Sequence, residues 1–232
     1  MIRSPEEYFN AQDFAPASSQ EEYTPAERLF MQKYLGVGTT NEEVAKDLGI
    51  EEENAPAPMS RAEVEAAYAA VKEEEPPLET MLKGMPEAQM VGFFIGEQEF
   101  VVPTMAMQEV IRYTPPVRLP MAPPNVAGVI NLRGKVTPVV ILRKLLDVRN
   151  TPLDGDGFFI ICRRRGLQLG FLIERIHTMY RVPQKDMDWG VESQLGISAE
   201  VDFISGIMKS EDGSRLMGII SVDRIVEHIL RH

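Results

Sequence analysis

The chain has 232 residues, 44% of them apolar, a formal net charge of −11 and a single cysteine. That length admits one large domain, or one domain with an appendage, since domains run to about 100–200 residues. No uncharged apolar run approaches the ~18 residues of a bilayer span, the opening MIRSPEEYFN lacks a signal peptide's apolar stretch, and one thiol excludes a disulfide framework or a thiolate zinc site, so a cytoplasmic protein is expected.

The charge is uneven, and the unevenness divides the chain. Residues 1–88 carry 7 Lys and Arg against 19 Asp and Glu; residues 89–232 carry 17 against 16. Residues 1–23 read as a disordered tail, with Tyr8, Phe9 and Phe14 as its apolar points. Over 24–75 a hydroxyl N-cap followed three residues later by glutamate recurs as Thr24 with Glu27, Thr40 with Glu43 and Ser60 with Glu63, which predicts three short helices. Pro25 suits a first helical position, and Gly36 and Gly49 suit helix ends. Val64, Ala67, Tyr68 and Val71 then give the third helix one apolar face. The words TTNEEVAKDLGI resemble the first helix of a helix-turn-helix, and a transcriptional regulator is the alternative reading of the whole chain. The acidic balance argues against it, because a DNA reader must neutralise phosphates with Lys and Arg. Residues 76–88, with Pro76, Pro77, Gly84 and Pro86, read as a linker that breaks any incoming helix.

From residue 89 the apolar period becomes two. VGFFIGEQEFVV forms two strands around Gly96-Glu97, glycine standing first as a type II′ turn requires. FFIICRRRGLQLGFLI repeats the plan with Arg164, Arg165 and Gly166 at its tip, and SGIMKSEDGSRLMGII repeats it around Asp212-Gly213. Cys162 falls within the second hairpin as a small buried hydrophobe. Both halves of the segment run hairpin, connection, hairpin, short helix, which implies two small similar β-subdomains packed together with a groove between them. Met105 and Met107 read as core. Arginines at a hairpin tip such as RRRG ordinarily form a solvated turn, with an acidic partner or RNA as the sharper use. Trp189 in MDWGVES plugs either the groove or the second subdomain.

APPNVAGVINLRGKVTPVVILRKLL, preceded by VVPTMAMQEVIR and followed by a second half that closes on SVDRIVEHIL, resembles the CheW-like domain of bacterial chemotaxis over residues 89–232. The resemblance implies a mainly β fold of two SH3-like five-stranded barrels with a short C-terminal helix, here behind an acidic helical extension. It implies a non-enzymatic adaptor, without cofactor or metal, that joins a CheA-type histidine kinase to chemoreceptor tips. Such a protein meets the membrane only through receptor arrays and binds no nucleic acid. The partner-binding residues it implies are Gln108, Glu109, Gly128, Asn131, Arg133 and Gly134, with Glu109 and Arg133 as a charge pair beside the groove. Taken alone, an exposed pair of this kind adds about 0–1 kcal/mol and an Arg-Gly corner is an ordinary turn. Gly134 supplies the positive φ of a tight corner or G1 bulge, and Pro138 reads as an edge-strand or bulge position. Ile141 departs from the family, which commonly has an aspartate there that caps the next short helix; Asp223 keeps the second half's aspartate.

No phosphate loop, HExxH or GxSxG stands in the sequence. His177, His228 and His232 are scattered, and the carboxylates of DGDG at 154–157 lack calcium-loop spacing.

Overall fold

The computed structural model describes residues 23–35, 59–73, 75–119, 122–148, 157–189, 203–210, 213 and 215–231. The second predicted helix start at Thr40, the helix-turn-helix-like words, the tail before Tyr23, Asp154, Asp156, Asp212 and His232 lie outside them.

Three two-residue turns organise the β region. Strands β1 (Glu87–Ile95) and β2 (Gln98–Pro103) meet at Gly96, whose φ of 61° is the loop's single positive value, as in a type II′ turn. β4 (Val126–Leu132) and β5 (Lys135–Ile141) turn at Arg133 and Gly134 with φ of 54° and 83°. β6 (Phe158–Arg164) and β7 (Leu167–Ile173) turn at Arg165 and Gly166 with φ of 50° and 72°. Both of these are the paired positive values of a type I′ turn, whose twist matches that of the flanking strands.

With β3 (Met107–Arg112), β8 (Arg175–Pro183), β9 (Met187–Trp189), β10 (Ile204–Lys209) and β11 (Leu216–Ile220), the strands form two sheets. One has the order β3-β6-β7-β5-β4 and the other β8-β1-β2-β11-β10-β9. The orders correspond strand for strand, each with one parallel pair, β5 with β7 and β11 with β2. The sequence halves do not map one to a sheet. The β1–β2 hairpin of the first half completes the second half's sheet, and the β6–β7 hairpin completes the first's. β9 adds a sixth strand to the second sheet.

The echo extends to irregularities: the β4–β5 register shifts between Val126 and Gly128, and the β10–β11 register shifts between Ile204 and Gly206. Pro138 sits on β5, which has β7 and β4 on its two sides, so the strand is not an edge. Val129, opposite Pro138, directs its amide and carbonyl to Val117 instead, and the ladder to β7 begins only at Val139. The proline's missing donor is therefore not needed by either neighbour.

A large apolar core lies between the sheets, with Phe93, Phe100, Phe171, Val129, Val140, Ile160 and Cys162 buried in it; a smaller one, of Ile130, Val139, Phe159, Ile161 and Leu172, lies apart from it within the five-stranded sheet. Cys162 is the expected buried hydrophobe, and burial pushes its thiol far up from the ordinary value. Met107 is partly buried against the core, but Met105 is 40% exposed because its 3-10 turn (Thr104–Ala106) buries only Ala106.

Helix α1 (Pro25–Phe30) starts at the Thr24–Glu27 capping box and runs into a π turn, Met31–Leu35. α2 (Arg61–Glu73) starts at Ser60, whose amide donates to Glu63 Oε2 over 2.7 Å. Within residues 76–88, read above as a linker, lie α3 (Leu78–Lys83), with Leu78 and Leu82 buried, and the first strand residues. The incoming helix α2 ends at Glu73, ahead of Pro76, and Pro77 at the N-cap and Gly84 at the C-cap of α3 also bracket a six-residue helix of its own. All three helices bury side chains in the large core beside the sheets, among them Ala26, Leu29, Phe30, Ala67, Val71 and Leu82. α4 (Leu142–Leu145) follows β5 with no side-chain cap at Ile141, and α5 (Val222–Arg231) closes the chain. Among the described residues no helix is long and apolar enough to cross a membrane.

The RRRG tip is not solvated. Arg164 and Arg165 are each 5% exposed: Arg164 donates to Asp223 Oδ1 over 3.0 Å and to the Pro76 carbonyl over 2.7 Å and pairs with Glu75, while Arg165 pairs with Glu227. The extension and α5 together enclose the tip.

Candidate functional site

The corner between β4 and β5 faces the edge strand β3. Arg133 Nη2 donates to Glu109 Oε2 over 2.9 Å, with the arginine side chain 79% exposed and the carboxylate 27% exposed. Arg133 takes the first left-handed position of the turn, a conformation that costs an L residue roughly 1–2 kcal/mol. Asn131 Oδ1 accepts the Gly134 amide over 2.9 Å and ties the loop closed. Of the two expected forms, tight corner or G1 bulge, the corner is the tight one, a type I′ turn with Arg133 and Gly134 both left-handed.

Gly128 is a backbone requirement. Its φ is 143°, and a Cβ there would lie 2.1 Å from the Val117 carbonyl oxygen. That closeness lets the segment before β4 lie directly on the strand, where Val117 and Val129 exchange two 2.8 Å hydrogen bonds. Gln108 is exposed at the register shift between Met107 and Glu109, where β3 carries one residue more than β6. The shift re-aims Glu109 toward the corner. Thus Glu109, Asn131, Arg133 and Gly134 come together, Gln108 flanks them, and Gly128 supports the strand beneath. Val110, 37% exposed, adds an apolar surface on the same edge strand. An exposed charge pair beside apolar edge residues suits protein docking, since interfaces combine apolar anchors with a polar rim.

A profile of the CheW-like domain matches residues 89–230. The chain belongs to the CheW-like domain family. It is 31% identical over 139 residues to the chemotaxis protein CheW of Helicobacter pylori, covering 60% of this chain and 81% of that one. To the chemotaxis protein CheW of Thermotoga maritima it is 27% identical over 153 residues, covering 66% and 96%. The scaffolding protein TtCheW from Thermoanaerobacter tengcongensis shares the fold, with a TM-score of 0.54 at 24% identity, over 60% of this chain and 90% of that one. The CheW-like domain carries the corner, and the family profile begins after α3.

Sequence reasoning missed a second polar cluster, on the six-stranded sheet. Glu99 on β2 is buried; it accepts from Tyr180 Oη over 2.7 Å, lies 2.7 Å from His177 Nδ1 and pairs with Arg215 at 2.9 Å. Tyr180 reaches it across Gly92, where a Cβ would lie 2.7 Å from the tyrosine ring. Burial, with the bond to Glu99, pushes the Tyr180 phenol up to about 12. The signal that could have found the cluster is the glycine between two bulky residues of β1, but its partners are far apart in sequence.

Proposed function

We propose that this CheW-like protein is a non-enzymatic adaptor that couples chemoreceptor cytoplasmic tips to a CheA-type histidine kinase, with the Glu109–Arg133 corner as part of its docking surface. The observation that carries the reading is the coincidence of the family match with a built corner: a bulged edge strand aims Glu109 at Arg133, and Asn131 closes the turn beneath it. The pair is too exposed to be there for stability, being worth about 0–1 kcal/mol. Its value is to present an oriented guanidinium and carboxylate to a partner. Coupling then requires no chemistry: a receptor change alters kinase activity through the free energy linking two binding sites on one scaffold.

The test is calorimetric titration of the full chain against the kinase regulatory domain and against a receptor-tip fragment. Wild type binds both, and Arg133→Ala or Glu109→Lys, folded as judged by circular dichroism, loses at least tenfold affinity for one of them, which corresponds to about 1.4 kcal/mol. Wild-type binding to neither would remove the adaptor reading.

A further inference from the structure

The family match begins at residue 89, yet the helices before it are fastened to both sheets. At one end, Thr24 Oγ1 donates to the carbonyl of Gly166, at the β6–β7 tip of the five-stranded sheet, over 2.6 Å. The same tip sends Arg164 to the Pro76 carbonyl and to Glu75, at the start of α3. At the other end, α3 leans on the six-stranded sheet: Lys83 Nζ lies 5.6 Å from the Trp189 ring centroid of β9, and the Gln184 amide, just before β9, lies between Trp189 Nε1 and the Leu82 carbonyl, so that turning its oxygen toward the indole lets it accept there and donate to Leu82.

Between these ends the extension grips α5. Tyr34 Oη donates to the Ile229 carbonyl over 2.8 Å, Lys33 Nζ to the Leu230 carbonyl over 3.0 Å, and Tyr68 Oη also to Leu230. These are terminal carbonyls that a helix end leaves without intrahelical donors. Near the helix start, Asp223 accepts the Leu78 amide over 2.6 Å and Arg164 over 3.0 Å.

We propose that α1 with its π turn, α2 and α3 form a strap that fixes the angle between the two β-subdomains, and with it the relative placement of the faces an adaptor offers its partners. Ties at the β6–β7 tip and at β9 join the strap to a hairpin end of the five-stranded sheet and to the edge strand of the six-stranded sheet, so one segment holds both subdomains. Buried Arg164 gives the strap a directional hold, through Glu75 and the Pro76 carbonyl, that apolar packing alone does not supply. Its consequence for partner presentation rests on the adaptor reading; the mechanical claim does not.

The experiment attaches spin labels to Thr114→Cys, after β3, and Arg181→Cys, on β8, in the full chain. Both positions are exposed, and the native Cys162 is buried with its thiol pushed up, so it does not react. The interspin distance distribution is compared in the unaltered strap, in Tyr34→Phe/Tyr68→Phe/Glu75→Gln and in Arg164→Gln. The strap account expects one narrow distribution that shifts and broadens in each folded strap variant. Should Arg164→Gln fail to fold, the milder triple variant decides. Identical distributions in the unaltered and altered straps would overturn the proposal, whereas failure of the full chain to bind kinase or receptor would overturn the adaptor reading and leave the strap standing.

Discussion

Gly128 shows how one residue decides local architecture. Any side chain there meets the Val117 carbonyl at 2.1 Å, so Gly128→Ala must push apart the segment that Val117 holds on β4. The expected cost is about 2–3 kcal/mol, read as a shifted urea midpoint, because a positive φ and a backbone clash act together. Arg133→Ala is the contrasting case: it should leave the midpoint nearly unchanged, within about 1 kcal/mol, while removing partner affinity. Tyrosines give a pH signature. Burial pushes Tyr34 and Tyr180 up to about 12 from 10.0, so the unfolded chain releases their protons first. Where the unfolded state binds fewer protons, stability falls as pH rises. The contribution is intact below pH 10 and is lost between about 10 and 12, and Tyr34→Phe should flatten part of that loss in thermal melts across the window.

At the scale of elements, α3 carries a consequence that the family domain alone would not have. Leu82 is 2% exposed in the shared core, and Leu82→Ala should cost about 2–5 kcal/mol by denaturant titration of the full chain, although it lies outside the family match. The sequence makes some of these elements legible and hides others for definable reasons. Capping boxes at Thr24 and Ser60 and glycines at 96, 134 and 166 act on their own neighbours, so they can be read in place. Helix α3 was hidden because the same prolines and glycine that interrupt a long helix delimit a short one. The arginine tip was misread because its burial comes from residues 75–76 and from Asp223 and Glu227, none of them neighbours in sequence. Glu99 escaped notice for the same reason. The corner pair was legible only through resemblance, since nothing local to Glu109 points to Arg133.

In the whole molecule, the repeat seen in the sequence becomes two matching sheets that exchange hairpins, and neither half can close its sheet alone. Strap, sheets and α5 share one core, so they should unfold together. Trp189, the chain's single tryptophan, lies beneath Lys83 at the strap's end, and its fluorescence transition should coincide with the far-ultraviolet circular dichroism transition, as two-state unfolding requires. The central claim is that this scaffold couples two partners through binding alone. The most direct measurement is kinase autophosphorylation in a reconstituted mixture of receptor-tip assemblies, a CheA-type kinase and the full chain. The account predicts that the wild-type chain makes kinase activity depend on the receptor and that folded Glu109→Lys does not; receptor-dependent activity that is the same with the chain and without it would contradict the account.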